Sequence, residues 1–148
     1  MSSDSLEIVP LEAAHFEQMG KLNDIHALSD KHEDFEMLVS AGGWACLEVG
    51  KPIGAGGIVP LSEWRGHGWV LFTRRWWKNA RLITSVVRNS LQTSPLDRVE
   101  TVVKADQSAA HRWARTLGMR LECPRMDAWA DGEPYSLYAY TKSNRWRP

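Results

Sequence analysis

His67, Glu100 and Tyr138 are the side chains best placed in this sequence to move a proton. His67 carries an imidazole whose ordinary pKa, near ~6.5, suits a base at neutral pH. Glu100 is a carboxylate near the start of an expected strand. Tyr138 and Tyr140 lie on another strand, and at most one of them is expected in a site. Each has a plainer reading: His67 as a loop-edge residue between Gly66 and Gly68, Glu100 as a solvated strand-end charge, a tyrosine as part of the core or rim. A second cluster is Arg74-Arg75-Trp76-Trp77-Lys78. Its plain reading is a helix start, with Trp76 in the core and the charges in water. Two sharper readings are a direct grip on phosphate groups and a basic, aromatic surface for DNA or lipid. His15, His26 and His32 show no tight ligand spacing, which argues against a metal site. His111, among alanines and arginines, reads as exposed. Cys46 and Cys123 are far apart and in no redox or metal spacing, so they read as two buried thiols.

The bulk numbers set bounds on these ideas. A chain of 148 residues suits one domain, with a core expected over about residues 6–141. No apolar run approaches the ~18 residues that cross a bilayer. The start, MSSDSLEIVP, lacks the basic and apolar stretches of a secretory signal. With two unpaired cysteines, this suggests a reducing compartment, the cytoplasm. The 18 basic and 18 acidic residues cancel, so a whole-protein attraction to nucleic acid is not implied. Their distribution is uneven: residues 1–36 hold nine acids and two bases, whereas residues 74–88 hold five bases and no acid. A local anion site is therefore allowed. Eight tryptophans imply large buried areas more readily than base stacking, for which no surface pattern is visible.

The elements that must position these groups follow from local pattern. Residues 6–9 alternate as a strand, and 12–22 read as a helix with Phe16, Met19 and Leu22 on one face. A second helix begins near Asp30, with Glu33 completing a capping box, Phe35 and Leu38 buried, and Gly42-Gly43 as its stop. Residues 44–49 and 53–59 form a hairpin turning at 50–52. His67 to Thr73 is a strand, and 76–91 a helix whose core stripe is Trp76, Ala80, Ile83 and Val87. Val99 to Val103 is a buried strand. Asp106 should cap the helix 107–117, with Ala109, Ala110, Trp113 and Leu117 inward and Gly118 as its stop. Residues 121–129 and 135–141 close the chain as a hairpin over Asp131-Gly132, and the last six residues should fray. The order β-α-α-β-β-β-α-β-α-β-β predicts a mixed α/β (α+β) sheet of about seven strands with helices on both faces.

This order, with two segments, resembles the GNAT acyl-CoA N-acyltransferase superfamily. EVGKPIGAGGIVP at 48–60 is similar to the family's hairpin with a glycine-containing return strand. DQSAAHRWARTLGM at 106–119 is similar to the family run of Asn, two residues, Ala, then an aromatic and Leu-Gly-Phe. Gln107 falls on the Asn, Ala110 on the Ala, Leu117-Gly118 on the Leu-Gly and Met119 on the Phe. Coverage runs over about residues 6–141. The resemblance implies acetyl-CoA as cofactor and direct acetyl transfer to an amine. It implies main-chain N–H groups of Leu71, Phe72 and Thr73 at the thioester, phosphates near Arg74, Arg75, Lys78 and Asn79, and Gln107-Ser108 beside the pantetheine arm.

Departures from the pattern fall on the site itself. The family's phosphate loop reads Arg/Gln, two residues, Gly, one residue, Gly/Ala at a helix start, where glycines let backbone N–H groups reach the pyrophosphate. Here Arg74 matches the leading Arg, but Trp77 and Asn79 stand at the glycine positions. The family's tyrosine acid would fall at Ala114. HGWVLFT, RRWWKNARLI and AAHRWARTLGM are similar to small GNAT-like phage proteins, including an internal virion protein. That likeness implies phage origin, location in the host cytoplasm or the virion, and virion proteins or DNA as partners. A non-catalytic virion or genome-ejection protein on the same fold is thus the alternative to an enzyme, and exposed sheet edges would allow a homodimer.

Overall fold

The computed structural model describes residues 6–20, 26–27 and 35–142. The chain runs β1 (Leu6–Pro10), α1 (Ala13–Gly20), β2 (His26–Ala27), α2 (Phe35–Ala41), β3 (Gly43–Glu48), β4 (Lys51–Pro60), β5 (Arg65–Phe72), a 3₁₀ helix (Arg74–Asn79), α3 (Ala80–Thr93), β6 (Arg98–Lys104), α4 (Ser108–Thr116), β7 (Arg120–Ala130) and β8 (Glu133–Thr141). Seven strands form one sheet in the order β1-β3-β4-β5-β6-β8-β7, and the two-residue β2 joins at β5. The pairs are antiparallel except β5–β6. Leu22, Asp30, Glu33 and residues 143–148 lie outside the described residues.

Each layer follows from the apolar pattern. On one face, Phe16 and Met19 of α1 and Leu38 of α2 bury against Ala45, Ala55, Trp69 and Leu71. Phe35, 39% exposed, stacks on Phe16 with ring centroids 4.2 Å apart. On the other face, Leu91 of α3 and Ala114 and Leu117 of α4 pack on Val99, Tyr138 and Tyr140. Cys46, Ile53 and Ile83 extend this side toward β3. The stop at Gly42 adopts φ +85°, a left-handed value that glycine tolerates.

Several local expectations shift. The first hairpin turns at Val49-Gly50, both at positive φ, and Lys51 already belongs to β4. A paired left-handed turn matches the twist of its strands better than a longer loop. Pro52 still fits, near a strand start. The helix expected from residue 76 is 3₁₀ over 74–79 and α only from Ala80. Gln107, not Asp106, caps α4, without a side-chain cap bond. Ala109 is exposed, while Ala114 takes an inward place.

Candidate functional site

The parting of β5 from β6 defines the site. These parallel neighbours pair at three positions only, Arg65↔Arg98, Gly66↔Val99 and His67↔Glu100. Beyond that rung β5 continues to Phe72 beside β4, and β6 to Lys104 beside β8. One bond spans the vertex, from Thr101 Oγ1 to the Gly68 carbonyl at 2.9 Å. Both strands end at helix starts, so the 3₁₀ helix and the first turn of α4 flank the open end.

His67 and Glu100 meet at the vertex. They form the last paired rung and share the α1/α2 face. His67 alternates in phase with Trp69 and Leu71, which pack there. Glu100 is opposite in phase to Thr101 and Val103, which line a cavity on the other side. Glu100 is not a free carboxylate. Arg65 Nε lies 3.2 Å from one oxygen, and Arg98 Nε lies 2.8 Å from the other. Arg98 also forks onto Glu122.

Tyr138 is elsewhere. It is fully buried on the α3/α4 face, and its hydroxyl lies 2.7 Å from His111 Nδ1. His111 Nε2 lies 3.1–3.2 Å from the Ala105 and Lys104 carbonyls. Two acceptors there place the ring proton on Nε2, so the hydroxyl donates to Nδ1. His111, expected in solvent, is instead half-buried and pins α4 to the sheet. The sequence signal was weak: a histidine one turn before Arg115 on an amphipathic helix.

Under α3 and α4 a cavity of about 60 Å³ abuts the vertex, walled by Gly68, Val70, Val103, Ala110 and Ala114. Ala114, where a tyrosine would match the resemblance, is one wall of this space. Trp113 bridges the helices there, donating from Nε1 to Thr84 Oγ1 at 2.9 Å.

Of the groups expected to hold a cofactor, Leu71, Phe72, Thr73, Arg75 and Asn79 are already engaged. Thr73, 1% exposed, directs its N–H and its hydroxyl to the Ile53 carbonyl. Leu71 and Phe72 pair with β4 on one edge. On the edge that β6 leaves, they pair with Ala27 and His26 of β2. Arg75 Nε donates to Glu48 Oε1 at 2.6 Å, and Asn79 Nδ2 to Glu48 Oε2 at 3.3 Å. The Arg75 hydrogen bond, aided by Asn79 and the nearby Lys78 charge, holds the Glu48 carboxyl below its ordinary range. Lys78 is exposed, and the side chains of Arg74, Trp76 and Trp77 lie outside the described residues. Gln107 and Ser108 are exposed at the start of α4. Acetyl-CoA would therefore have to displace partners already in place. The strand edge carries β2, and Arg75 carries a carboxylate.

Glu48 was missed by sequence reading. It ends a strand 27 residues before Arg75, and nothing local marks it as a partner of the basic segment. No group of three or more potential metal-ligating side chains occurs among the described residues. Nor is any described helix long and apolar enough to cross a membrane.

No protein-family model matches the sequence, and no curated protein does. Solved structures do match the fold. An N-acetyltransferase from Staphylococcus aureus Mu50 superposes with a TM-score of 0.69 at 12% identity, covering 92% of this chain and 97% of its own. Spermidine/spermine N-acetyltransferase SpeG from Vibrio cholerae gives 0.67 at 14%, covering 99% and 98%. Ribosomal-protein-S5-alanine acetyltransferase from Vibrio fischeri gives 0.69 at 12%, covering 97% and 96%. With the splayed β5–β6 pair, these similarities define the class: a mixed sheet in the GNAT acyltransferase fold.

Proposed function

We propose that this chain is an acetyl-CoA-dependent N-acetyltransferase-like protein with a divergent donor site, acting on an amine. The observation that carries this reading is the parting of β5 from β6 after the His67↔Glu100 rung. A proton-accepting group at that vertex is what acyl transfer to an amine requires of the protein. Of the two groups there, His67 is the proton acceptor. Glu100, with both oxygens gripped by arginines, orients its surroundings. Tyr138 shapes α4 through His111. Acetyl-CoA itself is tested directly. A Tm rise of several degrees at sub-millimolar acetyl-CoA supports the reading. His67→Gln is expected to keep that rise while lowering turnover by roughly 10²-fold or more. No shift with acetyl-CoA would sink it.

A second reading, a non-catalytic binding protein, is favoured by Glu48 and β2 standing where a donor would lie. In that reading a phage origin and a place in the virion would fit, with DNA or another virion protein as partner. Salt-sensitive DNA binding without a response to acetyl-CoA is its signature. A homodimer through an outer strand belongs to either reading. Among the described residues β7 pairs on one edge only, and it exposes Leu121 and Trp129. Sedimentation at two concentrations tests it.

A further inference from the structure

The basic segment after β5 does converge on an anion, and that anion is the chain's own. We infer that Glu48 is the resident occupant of an anion site built by Arg75, Lys78 and Asn79, and that a diphosphate-bearing ligand binds there only by exchange with it. This deepens the proposed donor site and rests on that reading for the identity of the ligand.

Three observations carry the inference. First, the geometry is that of anion recognition. One carboxylate receives a guanidinium at 2.6 Å and a side-chain amide at 3.3 Å on its two separate oxygens. Charged hydrogen bonds of this length are among the stronger ones available to a side chain. Second, the place is the junction of β5 and the 3₁₀ helix, and it is held by the sheet. Thr73 fixes that junction, with its hydroxyl 3.4 Å from the Arg75 N–H and its own N–H on Ile53. Third, the fold aims Glu48 there. Trp44, Cys46 and Glu48 alternate onto the α3 side of β3, and Trp44 and Cys46 pack there near Ile83. The Val49-Gly50 turn ends the strand immediately afterward.

Exchange fits the solvent exposure of the pair. The Arg75 side chain is 58% exposed and that of Glu48 18%. The guanidinium is therefore accessible from outside while the carboxylate lies deeper. A diphosphate brings more charge than a carboxylate and matches the guanidinium fork. It must still overcome an intramolecular competitor at high effective concentration. Glu48 thus weakens binding of any phosphate ligand and favours ligands that add contacts elsewhere.

The test is titration calorimetry with inorganic pyrophosphate and, separately, with CoA, on the full chain and on Glu48→Gln. Glu48→Gln is expected to bind pyrophosphate about tenfold or more tighter than the parent. Adding Arg75→Ala should abolish the gain. Equal or weaker binding by Glu48→Gln overturns the inference. If pyrophosphate gains affinity but CoA binds no better than pyrophosphate, the exchange site stands and the acetyl-CoA reading falls. An independent measurement uses the unaltered protein: NMR titration of the Glu48 carboxyl with and without pyrophosphate. Its depressed pKa should return toward the ordinary range when the phosphate takes its partners. An unmoved pKa at saturating pyrophosphate, or no saturation at all, overturns the inference.

Discussion

A single carboxylate decides the character of the helix entry. Without Glu48, Arg75, Lys78 and Asn79 would form a doubly cationic cluster; with it, the Arg75 charge is matched and that of Lys78 remains. The same residue adds its negative charge to burial in pushing the Cys46 thiol up to about 11. A consequence in pH follows from the depressed Glu48 pKa. A lowered folded-state pKa contributes stability that is present above the ordinary value of 4.5 and lost as pH falls through the folded value. Glu48→Gln should therefore flatten part of the acid limb of Tm against pH, measured from about pH 7 to about pH 3. The remainder of that limb includes Glu122, which Arg98 lowers in the same way. At the vertex, two arginines hold the Glu100 carboxylate beside His67.

At the scale of elements, the hairpin of β3 and β4 sets how closely the sheet can approach itself. A Cβ placed on Gly43 would lie 2.6 Å from the Gly56 carbonyl oxygen, a backbone atom with no rotamer to yield. Gly43→Ala is expected to cost about 1–3 kcal/mol by overpacking, seen as a Tm lower by several degrees. An unchanged Tm would mean that the strands separate without cost. α3 and α4 are joined by Trp113 and Thr84 above the sheet, and α4 is joined to β8 by His111 and Tyr138. Both contacts use polar atoms of partly or fully buried aromatic residues, so helix placement depends on a few hydrogen bonds as well as apolar area.

Across the whole molecule, the sheet separates two apolar layers, and β5 and β6 part after three paired positions. The two thiols report on this packing. Cys46 is fully buried and Cys123 partly exposed on the outer strand β7. Thiol alkylation at about pH 8 should label Cys123 in the native state. Cys46, its thiol pushed to about 11 by burial first and Glu48 second, should react only on unfolding. Mass spectrometry of alkylated peptides reads this directly. Native labelling of Cys46 at the rate of Cys123 would contradict the packing of β3 against α3.

The sequence alone determined what short-range chemistry controls. Asp131-Gly132 adopts the paired positive-φ turn its residue types favour. Of the expected stripe on α3, Ile83 is buried and Ala80 and Val87 are partly buried. Leu117-Gly118 ends α4 with Gly118 at φ +90°. From these pieces the element order, and with it the mixed sheet, was legible. Tertiary structure decided the occupancy of the site. Glu48 reaches Arg75 across 27 residues and Asn79 across 31. β2 pairs with Leu71 and Phe72 from over 40 residues away. Such contacts depend on which strands become neighbours, and no local propensity encodes that choice. Turn residues and apolar periods act within a few positions along the chain, whereas charge pairing and edge pairing act through space once the sheet has formed.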